Sequence, residues 1–198
     1  MLFSHRDVVR LLGSAFECSW ESVRPVPTVE IDFGNGHRLS RTLAGNIAFY
    51  YATPDGLVFD LLPGLVGPEE FLRKTTSALA AFRQHGGQRD AEQWFRLQHL
   101  ISAETGEPAV ARAPAPVDVS KAAVEQPLKH AMGTLEEDTE FNRRERYPRA
   151  HRLLARTGLV RPAELTKVVY REILEVDLDD PYLGLAPYLL GGEGGRHG

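Results

Sequence analysis

Residues 45–72 read GNIAFYYATPDGLVFDLLPGLVGPEEFL, and the succession of residue types in this stretch decides the fold. Ile47, Phe49 and Tyr51 alternate with Ala48, Tyr50 and Ala52 in an uncharged run rich in aromatic and branched side chains, which predicts a strand covered on both faces. Pro54-Asp55-Gly56 predicts a reversal: proline presets the first turn position, aspartate bonds its own backbone, and glycine accepts positive φ. Residues 57–62 form the expected return strand, closed by Pro63-Gly64. Gly67-Pro68-Glu69-Glu70 then opens a helix, with proline in the first turn and two carboxylates at the positive end of the dipole. Phe71, Leu72, Thr75, Leu79 and Phe82 recur at helical spacing and face the strands.

Working outward, residues 7–12 predict a short helix with Ser4 as N-cap and Val8, Leu11 and Leu12 on one face. Residues 16–20 read as a strand with Phe16, Cys18 and Trp20 on the same side. Residues 28–33 and 37–43 form an expected half-solvated hairpin around Gly34-Asn35-Gly36. Residues 88–103 predict a second long helix carrying Trp94, Phe95, Leu97, Leu100 and Ile101. The Ala/Pro stretch at 107–117, EPAVARAPAPV, favours extended backbone and reads as a linker. Helical patterns follow at 122–132, 138–156 and 162–176, with Thr157-Gly158 as a C-cap between the last two. This divides the chain into a strand-rich α/β domain (1–105), a linker (106–118), a helical extension (119–190) and a flexible glycine-rich tail (191–198).

The chain has 198 residues and a net charge of −4, with its basic residues scattered apart from Arg143-Arg144-Glu145-Arg146. No broad basic surface for nucleic acid is expected. No apolar run has the length to span a bilayer and no secretory signal pattern opens the chain, so a cytoplasmic location is expected. The single cysteine rules out an internal disulfide framework.

The succession over residues 8–79, a short helix (DVVRLL), a strand (AFECSW), a hairpin (TVEIDFGNGHRLSRTL), then two adjacent strands and a helix, resembles thioredoxin-like proteins after their redox helix. Residues 53–72, TPDGLVFDLLPGLVGPEEFL, are the most specific part. The segments RTLAGN (41–46) and LDDPYLGL (178–185) are similar to those of bacterial thioredoxin-like proteins of unassigned function. The resemblance implies an α/β fold with a thioredoxin-like mixed sheet, an inserted β-hairpin and a helical C-terminal extension. Two departures bear on function. The family's Cys-x-x-Cys, in which a helix dipole activates one thiol and a second sulfur resolves the mixed disulfide, has no counterpart here. The family's cis-proline is replaced by Gly45-Asn46-Ile47. Dithiol reductase or isomerase activity is therefore not expected.

Cys18 alone can carry a thiol reaction. One reading makes it a single-thiol oxidoreductase or redox-sensing site; the other makes it a small apolar residue pointing inward with Phe16 and Trp20. The inward pattern favours the second. The seven histidines, among them His99 and His151, show no pair at metal-ligand spacing, and Asp177, Asp179 and Asp180 lack the glycine and terminal glutamate of a calcium loop. No metal or cofactor is expected. The late apolar segment 181–190, with Tyr182 and Tyr188, reads as a surface that docks on the body of the chain or on a protein partner. The functional expectation is a non-catalytic binding or scaffold module, with Trp20, Arg41, Asn46, Tyr182 and Tyr188 as candidate interaction residues and Cys18 as the candidate catalytic residue of the rival reading.

Overall fold

The computed structural model describes residues 2–42, 47–105 and 134–182, the side chains of residues 41 and 42 excepted. The architecture is mixed α/β. A 3-10 turn (Leu2–Ser4) leads into α1 (Arg6–Ala15), followed by β1 (Thr28–Asp32), β2 (Arg38–Thr42), β3 (Ala48–Ala52) and β4 (Val58–Pro63). The rest is helical: α2 (Pro68–His85), α3 (Ala91–Thr105), α4 (Leu135–Phe141), a π-turn (Asn142–Arg146), α5 (Tyr147–Thr157), α6 (Pro162–Val168) and a second π-turn (Val169–Ile173). The expected linker at 106–118, the helical pattern at 122–132, the tail at 191–198, Asn46 and Tyr188 lie outside the described residues. None of the described helices is long and apolar enough to cross a membrane.

Local chemistry explains the central hairpin. Gly56 N–H closes the turn on the Thr53 carbonyl at 2.8 Å, Leu57 N–H donates to Thr53 Oγ1 at 3.1 Å, and Gly56 takes φ of 79°. β3 and β4 pair antiparallel with Tyr50 opposite Leu61 and Phe49 opposite Leu62. β4 is almost wholly buried and feeds two cores. On one side Val58 and Leu61 meet Ala150, Leu153, Leu154, Leu165, Val169 and Ile173; on the other Phe59 and Leu62 join Val8, Tyr51, Phe71, Phe95 and Tyr147. Val58 N–H also bonds the Val160 carbonyl at 2.8 Å, so the loop between α5 and α6 caps the start of β4. The helices after residue 133 thus share a core with the hairpin.

α2 begins at Pro68 with Glu69 and Glu70 in its first turn, as the sequence predicts. α4 starts on a capping box: Thr134 Oγ1 accepts from Glu137 N–H at 3.3 Å while a Glu137 carboxylate oxygen accepts from Thr134 N–H at 2.7 Å. α5 ends at Gly158, whose φ of 71° fits the expected C-cap.

Two sequence expectations differ from the structure. The described strands do not form one mixed sheet; they pair as two separate two-stranded antiparallel sheets, β1-β2 and β3-β4. Residues 16–20, where a strand was expected, carry no regular structure, and neither do residues 21–27. Phe16 does pack, with its ring 6.2 Å from that of Tyr51. Beyond it the chain leaves the body, and Pro25 and Pro27 remove two of the donors a ladder would need.

Candidate functional site

The described residues singled out from the sequence do not converge on one site. Cys18 is exposed, which corrects the inward reading of its alternation with Phe16 and Trp20: without a neighbouring strand, period-two spacing buries nothing. Trp20 is 87% exposed, and Val23 and Val26 are exposed further along the same arm. The arm touches the body through Arg24, which is half-buried beside Tyr170. Arg41 lies in β2 in register with Val29. Tyr182 is exposed. Asp177 and Asp179, weighed as calcium ligands, are instead held in ion pairs by Arg171 at 3.0 and 3.5 Å, and Lys167 joins Asp179 at 2.9 Å.

The arm runs into the β1-β2 hairpin, which is exposed over most of its length. One face carries Val29, Ile31 and Leu39 together with position 41, opposite Val29; the other carries Glu30, Asp32 and Arg38, with Arg38 Nε 3.0 Å from Asp32 Oδ2. Phe33 N–H donates to the His37 carbonyl at 3.1 Å. Antiparallel alternation then places Ile31-Leu39 and Val29-Arg41 as the inward-bonded pairs. The backbone groups of Arg38, Ser40 and Thr42 point out from one edge, and those of Thr28, Glu30 and Asp32 from the other.

A second constellation lies inside the molecule, where β4, α2, α3 and α5 meet. His99 and His151 are each 6% exposed, and their Nδ1 atoms stand 3.0 Å apart. His99 Nε2 is 2.9 Å from the Phe59 carbonyl oxygen, to which only a protonated nitrogen can donate. In a neutral His99 ring this leaves Nδ1 as the acceptor and His151 Nδ1 as the donor to it. Burial holds His151 well below the usual histidine range, and the His99 ring and the Lys74 ammonium push the same way. Asp60 completes the group: one donor atom from each of Asp60, His99 and His151 falls within a 4.8 Å cluster. A cavity of about 20 Å³ is lined by Asp60 and His151 together with Tyr51, Lys74, Ser77 and Tyr147. Lys74 Nζ sits 4.3 Å from the centroid of the Tyr147 ring, and Tyr51 hydroxyl pairs with Thr75 Oγ1 at 2.7 Å. Among the described residues this is the arrangement able to hold a metal ion.

Spacing along the chain does not reveal the group, because His99 and His151 are 52 residues apart. Each nevertheless follows a buried aromatic by one helical turn, His99 after Phe95 and His151 after Tyr147. A histidine on the apolar stripe of each of two packed helices is the signal that was available.

Glu70 staples α2 to the π-turn. Its carboxylate receives Arg73 Nε and Nη2 at 2.9 and 2.8 Å and Arg143 Nη2 at 2.9 Å. Burial alone would push its pKa up, but the bonds from both guanidiniums bring it down to about 2. The stabilisation it supplies is complete above its ordinary value of 4.5 and is lost as pH falls from there towards 2. Glu70→Gln should cost about 2 kcal/mol in urea unfolding at neutral pH, the partly exposed arginines softening the loss. A groove of about 340 Å³ beyond this staple is lined by Arg143, Arg144, Arg149 and Arg152 with Glu104 and Glu145. Its cations are largely matched: Arg143 pairs with Glu70 and Glu140, Arg144 with Glu145, and Arg149 with Glu175.

No protein-family model, curated protein or solved structure matches this chain.

Proposed function

We propose that the protein is a non-catalytic binding module that docks by strand addition at the free edge of β2, its occupant being the same edge of a second copy. The observation that carries this reading is the hairpin itself: an amphipathic two-stranded sheet whose apolar face has Ile31 exposed and Val29 and Leu39 half-buried, with no third strand on either edge among the described residues. A lone hairpin in water is marginal, and an open edge is a template for another strand. The β3-β4-α2 unit, which carries the thioredoxin-like resemblance, serves in this reading as scaffold.

Charge selects the edge. A two-fold axis through Ser40 pairs Ser40 with Ser40, Arg38 with Thr42 and Leu39 with Arg41, so no like charges oppose one another. The outward backbone groups of Arg38, Ser40 and Thr42 then all find partners, giving a four-stranded antiparallel sheet in which position 41 of each copy stands beside Leu39 of the other. The same operation on the β1 edge sets Glu30 against Glu30. Trp20, Val23 and Val26 extend the apolar surface along the arm.

Sedimentation equilibrium tests the reading. The native chain should dimerise, and Ser40→Pro, which removes an outward donor while sparing the bonds within the hairpin, should remain a monomer with unchanged far-UV circular dichroism. Cys18→Ser should dimerise like the native chain. A monomeric native protein, or a Ser40→Pro variant that associates equally well, would exclude this docking mode. Loss of association in Cys18→Ser would favour the single-thiol reading instead.

A further inference from the structure

We propose that Asp60, His99 and His151 form a binding site for a divalent transition metal, with Zn²⁺ as the fitting ion, held by two Nδ1 nitrogens, one carboxylate oxygen and a water.

The donor geometry is nearly formed. Tetrahedral zinc with Zn–N bonds of about 2.0–2.1 Å separates two ligating nitrogens by about 3.3 Å. The two Nδ1 atoms already stand 3.0 Å apart, and a carboxylate oxygen of Asp60 lies within the same 4.8 Å cluster. An opening of a few tenths of an ångström, with the proton between the rings moving to His151 Nε2, frees both lone pairs for the ion. The three donors come from β4, α3 and α5, elements packed on the same buried strand, so side-chain motion alone makes the adjustment.

The surrounding shell has the character of a metal site. His99 Nε2–H donates to the Phe59 carbonyl, the outer contact that fixes the ligating tautomer and orients the ring. Asp60 Oδ1 accepts from Leu61 N–H at 2.8 Å, which restrains the carboxylate. The cavity bounded by Asp60 and His151 measures about 20 Å³, enough for one water in the fourth position. Two neutral imidazoles and a carboxylate suit zinc, cobalt or nickel; calcium and magnesium require more oxygen donors. The carboxylate offsets the charge of the ion beside Lys74.

The competing account is a hydrogen-bonded imidazole pair that only links α3 to α5. Titration of chelator-treated full-length protein with Zn²⁺ by calorimetry separates the two. The metal site requires one ion per chain, weakened roughly tenfold by Asp60→Asn and about 100-fold by His151→Gln. Substitution with Co²⁺ should give the intense visible absorption of a four-coordinate ion, and Zn²⁺ should shift the imidazole nitrogen resonances of His99 and His151. A folded His99→Gln/His151→Gln double variant that binds Zn²⁺ as tightly as the native chain would overturn the assignment. Should that variant fail to fold, native protein that binds no Zn²⁺, or shows only the weak Co²⁺ spectrum of a six-coordinate surface complex, overturns it equally.

Discussion

Gly64→Ala should cost on the order of 3–5 kcal/mol of folding stability, a large fraction of what a domain of this size possesses. Gly64 sits at φ of 85° immediately after β4, a conformation L-residues avoid. Space is the larger obstacle. A methyl group there would overlap Oδ1 of Asn142 and lie 2.7 Å from its Nδ2 and 2.8 Å from Arg146 Nη1. Asn142 cannot give way. It is fully buried in the π-turn, donates from Nδ2 to the Leu65 carbonyl, and accepts from Arg146 Nη1 at 2.9 Å. The extra residue in that turn is what lets the asparagine tuck beneath the 64–67 loop. Thr139 holds the same loop by accepting the Gly67 N–H at 3.0 Å. Gly13→Ala supplies the control: the position is an exposed part of α1 with nothing within 4 Å of the new methyl, so the change should be neutral or stabilising by up to about 1 kcal/mol. Urea midpoints of the two variants at unchanged slope measure the contrast. A Gly64→Ala protein within about 1 kcal/mol of the native one would show that the 64–67 loop is free to move off the π-turn.

The parts of this fold that sequence reveals are those whose causes are local. The Thr53–Gly56 turn, the proline-led start of α2 and the Gly158 cap each follow from the φ preference or hydrogen-bonding of residues a few positions apart. The segment at 16–20 shows the opposite case. Phe16, Cys18 and Trp20 have strand periodicity, but a strand also needs a neighbour to bond, and that neighbour is a property of the tertiary arrangement. Trp20 at 87% exposure is the consequence. The Asp60-His99-His151 group was illegible for a related reason: it is assembled by the packing of α3 along α5 against β4, and no spacing rule reports which faces of distant helices meet. The arm and hairpin are therefore assigned a surface role, while the residues with demanding chemistry lie in the interior.

That interior pair should make the fold sensitive to mild acid, at a pH where carboxylates do not yet titrate. In the unfolded chain His151 takes up a proton near its ordinary value of 6.5. In the folded chain burial, the His99 ring and the Lys74 ammonium keep it neutral far below that value. From 6.5 downwards the unfolded state thus holds one proton more, and stability declines by about 1.4 kcal/mol per pH unit for each such proton. Metal-free protein should lose stability between pH 6.5 and about pH 5, and show little change in this contribution from neutral pH upwards. Glu70 cannot account for a loss in that window, because its contribution begins to fade only below 4.5. Lys74 from α2 and Asp60 from β4 line the cavity beside His151. The discriminating variant is His151→Gln, whose amide can still donate to His99 Nδ1 but cannot be charged. Urea midpoints followed from pH 8 to about pH 5 with chelator present should fall for the native chain and stay nearly level for the variant. Parallel declines would place the acid sensitivity on the exposed histidines, and the buried imidazole pair would then have to accept a proton without opening the core around Phe59 and Tyr147.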